Sequence, residues 1–213
     1  MDIIALDIET ETRPCHEPAK PCCSQRGLNP EVSFITAASI TDREGTEIFK
    51  TSVLGEAGLL RSLNSSLNKR SGYLITWNGS AFDLPFIAER AKVSEVKIDL
   101  ELKEDRLILI KYQPLPGHKS AYRGRWGNLE HVDIQFAYKE IAKDAKISWG
   151  LKPVAKHLGL NPIEVDRLSM HALTEEQLDE YVASDTMMTL KLAMMVGDLT
   201  NWSDSDKFYG SDR

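Results

Sequence analysis

Three cysteines, no apolar run of membrane-spanning length and no excess of basic residues mark what this 213-residue sequence has little of. The cysteines, Cys15, Cys22 and Cys23, are odd in number and crowded into one stretch, a poor basis for a disulfide framework. With His16 they could supply four metal ligands. Adjacent Cys22 and Cys23 lack the paired spacing of a structural zinc site, however, so ordinary loop thiols are expected. No apolar run approaches the roughly 18–20 residues that cross a bilayer, so no membrane association is expected. The start, MDIIALDIE, has an acid at position 2 and no basic segment, which does not read as a signal peptide. The expected compartment is the cytoplasm. The net charge of -6 argues against tight, non-specific binding to phosphates, although bound divalent ions would reverse the sign locally. No internal repeat or long low-complexity linker divides the chain. One domain over residues 1–200 with a polar tail over 201–213 is therefore expected.

Hydrophobic patterning supplies the elements. Residues 2–8 form a short apolar run suited to a buried strand, ending at Asp7 and Glu9. Residues 33–40 and 46–50 read as strands flanking the turn Asp42-Arg43-Glu44-Gly45. A helix is expected over 56–69, with Leu59, Leu60, Leu63 and Leu67 on one face. A strand over 73–77 follows, and then a helix from about Asp83. Residues 107–110 are strand-like, and 114–128 read as a long polar loop. A short strand at 131–134 precedes helices over 136–142 and 151–158. The last helix has the clearest start, with Thr174 and Gln177 in a capping-box pattern. This order implies an α/β domain with a mixed sheet flanked by helices.

Three short segments carry the chemistry. Asp7 and Glu9 are two apart in a strand, so their carboxylates lie on one side and repel each other unless a cation lies between them. The segment Asn78-Gly79-Ser80-Ala81-Phe82-Asp83 joins a strand to a helix and puts a third carboxylate at a strand end. Tyr181 and Asp185 are four apart and share a helix face. Each segment alone has an ordinary structural explanation. Together they bring four carboxylates and a phenol to strand ends and helices, which is what a pair of divalent ions hydrolysing a phosphodiester requires.

In this combination the chain resembles the DnaQ-like, or DEDD, 3′→5′ exonucleases, which have an RNase H-like fold. Asp7-Ile8-Glu9, the N-x3-F-D segment at 78–83 and the Y-x3-D segment at 181–185 look like that superfamily's three motifs. The tyrosine of the third motif resembles the DEDDy branch. N-x3-F-D looks most like the proofreading domains of family B DNA polymerases and their stand-alone relatives. His131-Val132-Asp133-Ile134 and Leu151 to Leu160 also resemble stretches of this branch. The resemblance implies two divalent cations, Mg2+ or Mn2+. Asp7 would be shared by both. Glu9 and Asp185 would hold the ion that carries the attacking water, Asp83 would serve the second, and Tyr181 would orient the water. It also implies that Thr10, Asn78 and Phe82 touch the terminal nucleotides.

Arg123, Arg125 and Trp126 lie in a stretch whose basic and aromatic residues suit a single strand, since cations meet phosphates and rings stack on bases. The expected partner is single-stranded nucleic acid, with DNA favoured over RNA, and the enzyme would act alone or beside replication or repair proteins. Trimming of RNA 3′ ends and a non-catalytic binding scaffold are the alternatives. His157 and His171 are expected to be ordinary polar residues, and Trp77 a core residue.

Overall fold

The computed structural model describes residues 2–12, 27–106, 108, 114–166 and 172–200. The cysteine stretch with His16, His171 and the tail from 201 lie outside them, as does nearly all of the strand-like 107–110. Seven strands form one mixed sheet: β1 (Asp2–Thr10), β2 (Ile35–Thr41), β3 (Thr46–Lys50), β4 (Gly72–Thr76), β5 (Leu100–Asp105), β6 (Ala121–Trp126) and β7 (Leu129–Asp133), in the spatial order β3-β2-β1-β4-β7-β6-β5. β1, β4 and β7 run parallel at its centre, and the other pairings are antiparallel. Among the described residues, five α-helices flank the sheet: α1 (Thr51–Leu67), α2 (Asp83–Val93), α3 (Lys139–Asp144), α4 (Leu151–His157) and α5 (Glu175–Val196). No helix among the described residues is long and apolar enough to cross a membrane.

Alternation along β1 sorts the sheet's two faces. Ile4, Leu6 and Ile8 enter the core shared with Leu59, Leu60 and Leu63 of α1 and Phe86 and Ile87 of α2. Ile3 packs into the second core, with Ile75, Val132, Val154 and Leu192. Asp7 and Glu9 share the parity of Ile3, so they face the side covered by α5. The Thr174–Gln177 capping box is formed, with both reciprocal hydrogen bonds.

Two expectations change, and β5, at 100–105, is a strand that the patterning did not announce. The polar stretch 114–128 contains β6, because cross-strand pairing with β5 settles a register that charged, glycine-interrupted residues do not announce locally. The expected helix over 136–142 is a 3-10 turn, Ile134–Tyr138, followed by the short α3.

A buried ion pair ties α1, α2 and β2 together. Glu56 accepts the Ile35 amide at 2.9 Å and Arg90 Nε at 2.8 Å, and Arg90 Nη1 donates to the Pro30 carbonyl at 2.7 Å. Arg90→Met leaves the Glu56 charge buried without its cation and should cost about 3–5 kcal/mol of stability in urea unfolding. A loss below about 1 kcal/mol would show that water reaches the pair and compensates it.

Candidate active site

The site forms where β1 outruns its parallel neighbour. The β1–β4 pairing ends at Ala5 and Ile75, leaving Asp7 and Glu9 on a strand end flanked by β2 alone. The register shifts between Glu9 and Thr10, an irregularity that re-aims side chains at a strand's end.

Helix α5 is brought to the same place by a buried line of hydroxyls. Ser39, the β2 partner of Asp7, donates to the Val182 carbonyl at 2.9 Å and to Thr186 Oγ1 at 3.2 Å. Thr41 and Thr186 share a further hydrogen bond at 2.7 Å. These contacts set the position of α5 along the strands. Tyr181 and Asp185 each immediately precede one of these bonded residues, so Asp185 is brought to Asp7 and Glu9, and Tyr181 packs with Ala37, the β2 partner of Glu9. One carboxylate oxygen from each of Asp7, Glu9 and Asp185 lies within 4.8 Å of the other two. Asp185 and Tyr181 are buried, and the two strand acids are half-buried.

The fourth acid is held separately. Asp83, at the first turn of α2, is buried, and its Oδ1 accepts the amide of Ile8, the residue between Asp7 and Glu9, at 3.2 Å. Burial pushes its pKa up to about 7. The Ile8 amide opposes that rise, and the nearby Asp133 carboxylate adds to it. Burial also raises the pKa of Asp133, against His131 and the backbone amides that bond it.

A cation that the sequence does not single out stands beside these acids. Lys152, in the first turn of α4, places Nζ 3.3 Å from Asp185 Oδ2 and 3.9 Å from the centre of the Tyr181 ring. Its place in the Leu151–Leu160 stretch was the only sequence signal, and nothing local distinguishes it from other lysines.

The expected substrate contacts divide. Asn78 is half-buried at the site's edge in the left-handed region, with φ 68°. Phe82 is half-buried against Phe86, with ring centroids 5.5 Å apart. Thr10 is buried and donates its hydroxyl to the Gly27 carbonyl at 2.7 Å, so that donor is already engaged within the protein. Trp126 corrects a second expectation. It is fully buried, with its indole N–H on Asn64 at 2.9 Å, and is a core residue that no base can stack on. It pairs with Leu129, level with Gly72 and Asp2, about 17 Å along the strand direction from Asp7. Arg125 pairs with Glu130 at that same far end, and Arg123 binds Asp105 at 2.6 Å on the sheet's outer ribbon. His157 is exposed and Trp77 is packed against Tyr138, as expected of ordinary residues.

A family model described as the RNase H superfamily matches residues 25–172, more than half of the chain. The chain belongs to the RNase H superfamily. The matched stretch includes Asp83, Asp133 and Lys152, whereas Asp7, Glu9, Tyr181 and Asp185 lie outside it. Among solved structures, the family B DNA polymerase from the hyperthermophilic archaeon Pyrobaculum calidifontis is similar over 92% of this chain, with a TM-score of 0.63 and 19% identity. The chain spans 24% of that polymerase's length. At that identity the likeness concerns the fold, and the fold is the α/β, RNase H-like one expected from the motifs. No curated protein matches the chain by sequence. Membership of this superfamily supports nuclease-type chemistry, and the acidic cluster is of the kind that holds divalent cations.

Proposed function

We propose that this protein is a 3′→5′ exonuclease that removes nucleotides from the 3′ end of single-stranded DNA with two divalent cations, Mg2+ or Mn2+. The observation that carries this reading is the meeting of Asp7, Glu9 and Asp185 from β1 and α5. Three oxygen donors with no thiol or imidazole among them fit a hard cation. When bound, such ions make a nucleophilic hydroxide near neutral pH and stabilise charge on the leaving oxygen. Asp7, Glu9 and Asp185 hold the ions, with Asp83 behind them. Tyr181 orients the attacking water by hydrogen bonding. Lys152 offsets one of the three carboxylate charges, and bound cations would supply the rest of the positive charge that a phosphate needs.

Lys152 has a separable signature. Lys152→Met keeps an unbranched apolar side chain and removes the ammonium that lies over Tyr181 and beside Asp185. The turnover number at saturating Mg2+ should fall roughly 10²-fold, the scale of one lost electrostatic contact to developing charge. The Mg2+ concentration for half-maximal rate should fall too, because a cation competing for Asp185 is gone. A higher Mg2+ requirement in this variant would mean that Lys152 supports ion binding instead of competing with it.

The reaction is tested with 5′-labelled single-stranded DNA and RNA of matched sequence, in Mg2+, Mn2+ or EDTA. The expected result is a metal-dependent ladder shortening from the 3′ end, faster on DNA. Equal or faster loss of RNA would move the assignment to RNA 3′-end trimming. Metal-independent binding without cleavage would leave a binding scaffold.

A further inference from the structure

We infer that Asp133 is a positioning residue of this site, holding through the Asn78 and Ser80 amides and the Ser80 side chain the turn that delivers Asp83. Asp133 ends β7, opposite Thr76 of β4, and is 4% exposed. Its Oδ1 accepts the Asn78 amide at 2.9 Å and the Gln135 amide at 3.3 Å, and its Oδ2 accepts the Ser80 amide at 3.0 Å. Both oxygens therefore face the protein interior and its amides, and Asp133 does not join the carboxylate trio.

What it holds would not hold itself. Asn78 has a left-handed backbone, a conformation that asparagine adopts more readily than other residues with a Cβ but that its surroundings must still hold in place. Gly79 is pressed so closely onto Thr76 that a Cβ there would stand 2.2 Å from the threonine hydroxyl. That hydroxyl is itself bonded to Nε2 of the fully buried His131 at 2.8 Å. Helix α2 starts from this turn without a side-chain cap; the Ala81 and Phe82 amides before it bond to the Asn78 carbonyl, and its Leu84 amide bonds to the Gly79 carbonyl. Two residues of β7, His131 through Thr76 and Asp133 through the amides, thus fix a short strand-to-helix connection from below. Asp83 is the next side chain, and it reaches the Ile8 amide between Asp7 and Glu9. The line of force runs from Asp133 through the turn to Asp83 and on to β1. In its consequence for catalysis the inference rests on the nuclease reading; in its structural content it does not.

The test is amide hydrogen exchange on Asp133→Asn, followed by kinetics. Asparagine has one acceptor oxygen and turns an N–H2 toward donors, so one anchor is lost without a change of shape. Exchange at Asn78, Ser80 and Ile8 should speed up more than about tenfold over amides of the distant β3. Asp83→Ala should speed up Ile8 alone, and Asp133→Glu, which keeps two acceptors, should lose less protection than Asp133→Asn. With an active wild type, Asp133→Asn should lower kcat at least about tenfold and leave KM for the oligonucleotide within about twofold. Uniform acceleration across the sheet, unchanged exchange at Ile8, or an unchanged kcat would each overturn the assignment. Should the wild type cleave neither polymer, the nuclease reading falls, and the exchange result still decides whether Asp133 holds Asp83 in place.

Discussion

Asp7→Ala should abolish the proposed cleavage while the protein stays folded, with an expected loss of roughly 10³-fold or more, about 4 kcal/mol of transition-state stabilisation at 1.36 kcal/mol per decade. Asp7 is the strand acid in register with Ser39, the residue whose hydroxyl anchors α5, so it lies where strand and helix meet. Removing it takes one of three clustered oxygens away and leaves Glu9 and Asp185 without the donor between their elements. The fold should not suffer. Asp7 is half-buried at a strand end, and its loss relieves repulsion among like charges. Thermal unfolding in EDTA should therefore give a Tm equal to or above that of the wild type, and the rise in Tm that Mg2+ gives the wild type should disappear. Residual cleavage above a few per cent of wild type would show that Glu9, Asp185 and Lys152 suffice without Asp7, and would sink its central place.

Asp83→Asn should inactivate the enzyme and at the same time stabilise the metal-free fold, in a pH-dependent way. Burial raises the Asp83 pKa from its ordinary value of 3.8 to about 7. Between these values the folded chain keeps a proton that the unfolded chain has lost. The unfolded state therefore binds fewer protons, and the contribution of Asp83 to stability falls as pH rises from about 4 to about 7, then levels off. Asparagine still accepts from the Ile8 amide and carries no charge. The variant's advantage in EDTA should be near zero at pH 4, grow through this window, and reach at most roughly 4 kcal/mol at pH 8, taking 1.36 kcal/mol per pKa unit. Urea unfolding of both proteins at pH 4, 6 and 8 measures it. A variant less stable than wild type at pH 8, or a difference that does not change with pH, would mean that Asp83 is solvated or otherwise compensated. Cleavage should fall with the lost carboxylate, so that stability and activity move in opposite directions, as they do where a site stores unfavourable charge for function.

Much of the site was legible because its signals are local. A strand ending in D-x-E puts two acids on one side by the two-residue alternation of β-structure. Tyr181 and Asp185 share a face by helical periodicity, on a helix whose Thr174–Gln177 cap marks its start. Asp83 at a strand-to-helix turn follows from the order of elements. The misreadings arose where pairing, not local preference, settles structure. β5, with the sequence LELKED, is one of the sheet's two edge strands, and edge strands carry charge that discourages further pairing. That charge, with Gly124 inside β6, masked the ribbon as a loop, and Trp126 as a loop aromatic when it fills the core.

The sequence by itself determined the α/β class, the acids and tyrosine that stand at element ends, and the absence of any long apolar span. Only the tertiary structure decided which of these groups meet. It joined Asp7 and Glu9 to Asp185 through hydroxyl contacts between Ser39, Thr41 and Thr186, set Asp83 apart on the Ile8 amide, and brought Lys152 to Asp185. It also withdrew Thr10 and Trp126 from solvent. The reason is physical: periodicity and capping are interactions between residues a few positions apart, whereas α5 reaches β2 across some 145 residues, where no local preference operates and only the packing of the whole sheet fixes the encounter.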